Sequence, residues 1–287
     1  MADRPKRRRL PRAVLALLAL ALFTALFVRW SNTALQTTCF EPVFTGLPGG
    51  FDGCRIAVLS DLHGARFGRE NRALFAAVAE AQPDYIFYLG DLEDQHRGSS
   101  PGYAEEVAAG LSAIAPLYYV TGNHEWAVGD VPQLKERLES HGATVLSNEF
   151  LTLEQNGDTV VLAGIDDPNG YADQKTPETV AAELYAAHGD PFWLLLAHRN
   201  DRFAEQYSLL GADLVLSGHG HGGIIRPPFT DGLLSTERTL FPSYTAGLYK
   251  EHGSALFVTR GLGNSGSTFR LFNRPEVAVV TLRRHSP

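Results

Sequence analysis

The sequence predicts an α/β layered fold, and three observations carry that prediction. Short apolar runs alternate with longer stretches rich in Ala, Leu and Glu, the pattern of strands alternating with helices. Hydrophobic residues make up 44% of the 287 positions and charged residues 20%, enough to bury a core. This composition excludes a disordered, collagen-like or disulfide-scaffold chain. Polar residues with metal-ligand chemistry recur directly after the apolar runs, and open α/β sheets bind ligands at that edge.

The elements follow in order. Residues 1–12 form a basic segment, with Arg4, Lys6, Arg7, Arg8, Arg9 and Arg12 against Asp3. That is a net +5 within a whole-chain charge of −7, so the remainder carries −12. Residues 13–28 are apolar apart from Thr24. Sixteen helical residues span roughly 24 Å, short of a hydrocarbon core of roughly 30 Å. Leu10 and Trp30 extend the run if Arg12 and Arg29 snorkel to the headgroups. Residues 13–30 therefore read as a transmembrane anchor or a signal segment. Cleavage after Ala34 would put Asn32 at the −3 position, and cleavage after Ser31 would put Arg29 there. Neither is the small residue that cleavage requires, which favours an uncleaved, single-pass anchor in the cell membrane over secretion. Two other readings are a twin-arginine signal at Arg8-Arg9 and a buried core helix. The positive-inside rule keeps the basic block cytoplasmic and the body outside the cytoplasm.

Residues 31–50 read as a linker and first strand region, with 32–38 as the linker, and 51–287 as the main domain. Strands are predicted at 54–59, 85–89, 117–120, 192–196, 214–216, 255–259 and 277–282. A hairpin is predicted from 150–153 and 159–163 around Asn156-Gly157. Helices are predicted at 69–81, 103–114, 131–140 and 176–187. Cys39 and Cys54 are too few for a Cys-based metal site; they either pair or stay as free thiols.

The groups after the strands are Asp61 and His63, Asp91, Asn123 and His124, His198, and His219 and His221. Mixed oxygen and nitrogen donors without thiolate suit Mn, Fe, Zn, Co or Mg. The seven other than His124 exceed the needs of one catalytic ion, and two ions sharing Asp91 fit better. Two cations roughly 3.5–4 Å apart clamp a phosphate for in-line displacement. Any fragment alone is weak, since Asp-X-His arises often by chance and a lone His is commonly structural. The ordered set is much stronger.

In Ser-Asp-Leu-His (60–63), Gly-Asp (90–91), Gly-Asn-His-Glu (122–125), His198 and Gly-His-Gly-His (218–221), the sequence resembles the calcineurin-like metallophosphoesterases. The likeness runs over roughly 55–282. It implies a four-layer αββα sandwich, preceded here by one N-terminal hydrophobic helix, and a dinuclear site hydrolysing phosphomonoesters or phosphodiesters. It implies that Asp61, His63 and His221 bind the first metal, Asn123, His198 and His219 the second, and that Asp91 bridges. His124 would be the catalytic histidine near the leaving group. Phe67-Gly68, 164–168, His221-Gly222-Gly223, Arg226-Pro227, 260–263 and Arg274-Pro275-Glu276 resemble the membrane-anchored bacterial branch. Gly220, Ile224 and Arg199-Asn200 depart from that branch without removing a ligand.

Other residues have competing readings. Arg66, Arg69 and Arg199 either hold phosphate or are solvated. Arg260 and Asn264 wall the site or serve a Gly-rich turn, and Asp166-Asp167 are acids supporting the site or a turn, the turn being favoured. Glu125 supports the site or lies on the surface, and His96, His141, His188, His252 and His285 read as ordinary. Phe67, Tyr103, Trp126 and 229–249 line a lipid-accepting groove or belong to the core. The expected partners are a phosphate-ester substrate, lipid-linked or not, and a membrane held through the N-terminal segment. The acidic body disfavours nucleic acid. The runner-up function is a UDP-2,3-diacylglucosamine-type lipid pyrophosphate hydrolase, a normally cytoplasmic reaction that conflicts with the inferred topology. A membrane-tethered, non-catalytic binding module predicts missing ligands, and none is missing.

Overall fold

Two six-stranded sheets face each other in the computed structural model, which describes residues 11–96, 102–236, 238–266 and 268–285. The basic residues 1–10 lie outside the described residues. The first sheet contains β1 (Gln36–Phe40), β3 (Arg55–Leu59), β4 (Tyr85–Leu89), β5 (Leu117–Val120), β6 (Ala143–Val145) and β13 (Glu276–Thr281). Their order is β1-β13-β3-β4-β5-β6. The second contains β7 (Glu149–Gln155), β8 (Asp158–Gly164), β9 (Trp193–Arg199), β10 (Leu214–Gly218), β11 (Gly247–Glu251) and β12 (Ser254–Val258), ordered β11-β12-β10-β9-β8-β7. β2 (Val43–Phe44) and β14 (Arg283–Arg284) form a separate short pair.

Central strands are apolar on both faces because each face meets a different core. Ala57 and Leu59 of β3 point to a core shared with α2 (Arg72–Glu80), α3 (Tyr103–Ser112) and α5 (Val131–Ser140). Ile56 and Val58 point to the core between the sheets. A third core lies between the second sheet and α6 (Pro177–His188), with short 3-10 turns beside it. The layers are therefore αββα, as the resemblance implies. Local signals explain the helices. α5 buries Val131, Leu134 and Leu138 on one face. α6 starts where Thr176 Oγ1 accepts the Thr179 N–H at 3.3 Å, with Pro177 in its first turn.

The structure departs from the sequence reading near the N-terminus. α1 (Arg12–Thr33) is a 22-residue helix, about 33 Å long at 1.5 Å per residue, so it matches the thickness of a bilayer core. It is long and apolar enough to cross a membrane, and its apolar span is not buried in the fold. Residues 32–38 are not a linker. Asn32 and Thr33 end α1, Ala34 caps it, and 36–38 belong to β1, which pairs in parallel with β13. The polar residues that suggested a linker serve as clamps. Asn32 Nδ2 donates to the Arg270 carbonyl at 2.9 Å, and Asn32 Oδ1 accepts the Arg270 N–H at 2.7 Å. Asn264 Nδ2 also donates to Asn32 Oδ1, at 2.9 Å. β6 and β11 were not predicted: β6 has three residues, and β11 is a half-exposed strand at a sheet edge. Cys39 is exposed and Cys54 buried, both as free thiols, and burial pushes the Cys54 pKa up to about 12.

Candidate metal centre

β3, β4 and β5 run parallel in one sheet and β9 and β10 run parallel in the other. Their carboxyl ends meet at one edge of the sandwich, where His198 Nδ1 lies 2.6 Å from the Leu89 carbonyl of the opposite sheet. All seven candidate ligands and His124 come together there. The backbone turns sharply to aim them: Asp61, His63, Asp91, His219 and His221 have φ between 46 and 63°. Left-handed conformations cost non-glycine residues roughly 1–3 kcal/mol each, and such strain concentrates at functional sites. Asn123 and His124 open the short helix α4 (Asn123–Val128), an element the sequence reading did not predict.

The donors form two groups around one carboxylate. His63 Nε2 lies 3.1 Å from His221 Nε2, and His221 Nε2 lies 3.5 Å from Asp61 Oδ1. On the other side, His198 Nε2 lies 3.2 Å from both Asn123 Oδ1 and His219 Nδ1. Asp91 Oδ2 stands 3.6 Å from His63 Nε2 and 3.3 Å from His198 Nε2. Converging imidazole nitrogens beside two buried carboxylates make an arrangement that cations stabilise, and the donor set fits divalent ions. His198 Nδ1–H donates to Leu89, which aims Nε2 at the group.

The electrostatics agree with this fit. Burial lowers the pKa of His63 to about 4 and holds His219 and His221 well below the ordinary imidazole value. Their lone pairs are therefore available at neutral pH. Burial works against a charged His198 too, but the Asp91 carboxylate outweighs it and raises the pKa to about 10. Burial raises Asp61 to about 6. Asp91 thus favours positive charge beside it.

The pattern of the calcineurin-like phosphoesterases matches residues 54–223. The chain belongs to this family. Its members hydrolyse phosphoric esters with two divalent metal ions. Calcineurin-like relatives widen the bacterial branch suggested by the sequence. A transmembrane protein with a metallophosphoesterase domain from Danio rerio is 30% identical over 249 residues. That match covers 83% of this chain but only 55% of the zebrafish protein. The Bacillus subtilis metallophosphoesterase YkuE is 28% identical over 247 residues, covering 83% of this chain and 82% of its own. A dimetal phosphatase structure from Danio rerio shares the fold at 14% identity, with a TM-score of 0.50 over 73% of this chain and 88% of that one.

Several supporting groups of this phosphoesterase had competing readings in the sequence. Glu125 is buried and accepts the N–H groups of Asp91, Gly122 and Glu93 at 2.9, 2.7 and 3.1 Å, so it locks the loops that carry Asp91 and Asn123. Asp166 and Asp167 form more than a turn. Asp166 accepts from Thr121 and Lys135, and Asp167 holds Arg199 Nε at 2.8 Å. That pair keeps Arg199 Nη1 3.5 Å from His219 Nε2, facing the site cavity of about 280 Å³. Arg66 and Arg69 instead pair with Glu106 and Glu70 outside the cavity. Arg260 pairs with Glu276, and Phe67 and Tyr103 are core residues. His96, read as ordinary, lines the cavity beside His124. Arg270, absent from the sequence reading, is 1% exposed, with Nη2 3.2 Å from His221 Nδ1.

Gly122 shows how tight the cradle is. A Cβ there would lie 2.2 Å from Asp91 Oδ1. Gly122→Ala is expected to displace that carboxylate and lower bound metal by at least about tenfold in affinity, as losses around metal ligands do. Metal titration of the purified variant checks this.

Proposed function

We propose that this chain is a membrane-anchored phosphoesterase acting on phosphomonoesters or phosphodiesters at the outer surface of the membrane. In this reading Asp61, His63 and His221 hold one divalent cation, Asn123, His198 and His219 hold the second, and Asp91 serves both. The observation that carries it is the position of Asp91 Oδ2, 3.6 and 3.3 Å from imidazoles of the two groups. When bound, the cations lower the pKa of a water and offset charge on the non-bridging phosphate oxygens; their identity among Mn, Zn, Fe, Co and Mg is left open.

The side chains divide the remaining work. The Gln95 N–H donates to His124 Nδ1 at 3.1 Å, so the neutral ring carries its proton on Nε2. Burial lowers the His124 pKa and keeps the ring neutral. Nε2 lies 3.3 Å from Ser265 Oγ at the cavity wall, and its N–H stabilises the leaving oxygen by a hydrogen bond. The Gln95 amide holds the ring in place. Arg199, fixed by Asp167, binds a non-bridging oxygen.

The apolar helix α1, with the basic block before it, supports a single-pass anchor and an extracytoplasmic body. A lipid-linked phosphoester suits this position, because Asn32 at the end of α1 bonds Asn264, next to Ser265 of the cavity wall.

The test is metal dependence. Metal-depleted protein is expected to hydrolyse neither bis-p-nitrophenyl phosphate nor p-nitrophenyl phosphate. Adding Mn, Zn, Mg or Co in turn should restore activity, and the ratio of the two rates assigns diester or monoester preference. Activity that persists in chelator would refute the reading.

A further inference from the structure

The loops that follow β10 and β12 expose five large apolar side chains: Phe229, Leu240, Phe241, Phe269 and Phe272. Phe229 is the extreme, at 107% relative exposure. Scattered exposed apolar residues are ordinary, whereas a contiguous set marks an interaction surface. Backbone hydrogen bonds tie these loop segments side by side. The Phe241 N–H donates to Leu233 at 3.0 Å, the Leu233 N–H to Ile225 at 2.9 Å, and the Arg226 N–H to Leu271 at 3.0 Å. The next residue, Phe272, packs on Phe27 of α1, with ring centroids 4.9 Å apart. Phe272 thus joins these loops to the apolar surface of the helix.

The end of α1 carries the marks of a membrane–water boundary. Trp30 is 46% exposed, and the Arg274 guanidinium sits 4.8 Å from the centre of its ring. Arg29 and Arg238 are exposed. Interfacial Trp and Arg of this kind sit at the headgroup level. The loops also reach the site: Thr236 lines both the metal-site cavity and an adjoining cavity of about 370 Å³ that includes Pro242 and Tyr244.

We propose that these loops are a second membrane-contact surface, with Phe229, Leu240, Phe241, Phe269 and Phe272 dipping into the leaflet that α1 enters. The contact sets the mouth of the site at the headgroup layer. The proposal rests on the reading of α1 as a membrane anchor, and its occupant is the lipid bilayer.

Depth measurement on the full chain tests it. The protein is reconstituted into vesicles of phosphatidylcholine and phosphatidylglycerol. Phe229→Cys and Phe241→Cys are each labelled with a nitrobenzoxadiazole dye in a Cys39→Ser background, where the remaining Cys54 is buried. Leu20→Cys in α1 is the membrane reference. Glu154→Cys is the water reference, because Glu154 is exposed and pairs with Thr159 at the end of the sheets away from the site. The expected result is blue-shifted emission, quenched by brominated acyl chains, at Phe229, and neither effect at Glu154. Phe241 carries the test if the Phe229 variant fails to fold. Water-like emission in a chain that floats with the vesicles overturns the proposal and leaves the anchor reading standing. A chain that does not float with vesicles overturns both.

Discussion

Asp91→Asn is expected to empty the metal site and reduce turnover by about a thousandfold or more, the equivalent of about 4 kcal/mol of lost electrostatic stabilisation. The substitution keeps the shape of the side chain. It also keeps Oδ1, which accepts the His124 N–H at 2.9 Å, so the start of α4 stays in place. What changes is the other atom. An amide nitrogen replaces Oδ2 and turns N–H donors toward His63 and His198, where a cation is to bind. The negative charge shared by both groups disappears with it. Burial works against ionised Asp91, yet the surrounding histidines, His198 foremost, hold its pKa well below the usual carboxylate range. The carboxylate is therefore charged at any working pH. Elemental analysis of the variant should find fewer than two ions per chain. Two bound ions with undiminished turnover would remove Asp91 from the centre of the reading.

His124→Ala is expected to behave differently. Metal content should remain at the wild-type level, because the ring is assigned to the leaving group. Turnover on an alkyl phosphodiester should fall by about 10²–10⁴, the range of general acid–base contributions. On p-nitrophenyl esters, whose leaving group departs without proton assistance, the loss should be much smaller. The contrast comes from the Gln95 amide, which fixes Nδ1 as an acceptor and leaves Nε2–H to donate. An equal loss on both substrate types would contradict that role and assign His124 to metal or phosphate binding.

The candidate ligands were legible because they sit in short motifs directly after apolar runs, and strand polarity then brings them to one edge. His219 and His221 illustrate this: two residues of spacing put them into different groups, 3.2 Å from His198 and 3.1 Å from His63. Residues that act through distant contacts were not legible. Arg270 reaches His221 across 49 positions, and Asp167 reaches Arg199 across 32. No local spacing encodes such encounters. Closeness in sequence left Arg66 and Arg69 open, and their solvated reading holds. They follow His63 in the chain but pair with Glu106 and Glu70 outside the cavity. The stretch 32–38 misled because its Asn, Thr and Gln side chains give no apolar periodicity. Here their polar groups are used in tertiary contacts, from Asn32 to Arg270 and from Thr38 to Glu276.

The Asn32 clamp makes α1 a stiff mount. A flexible tether lets a domain sample a hemisphere whose radius grows with linker length. Here the helix passes through Asn32 into β1 with no loose residues between, and Arg274 adds a 2.9 Å bond to the Ala34 carbonyl. With α1 as an anchor, the working height of the site above the bilayer is fixed. A phosphoester within that thin layer meets the site at high effective concentration, and one a few nanometres further out meets it only by diffusing in. Selection among chemically similar phosphoesters then becomes a matter of altitude as well as of shape.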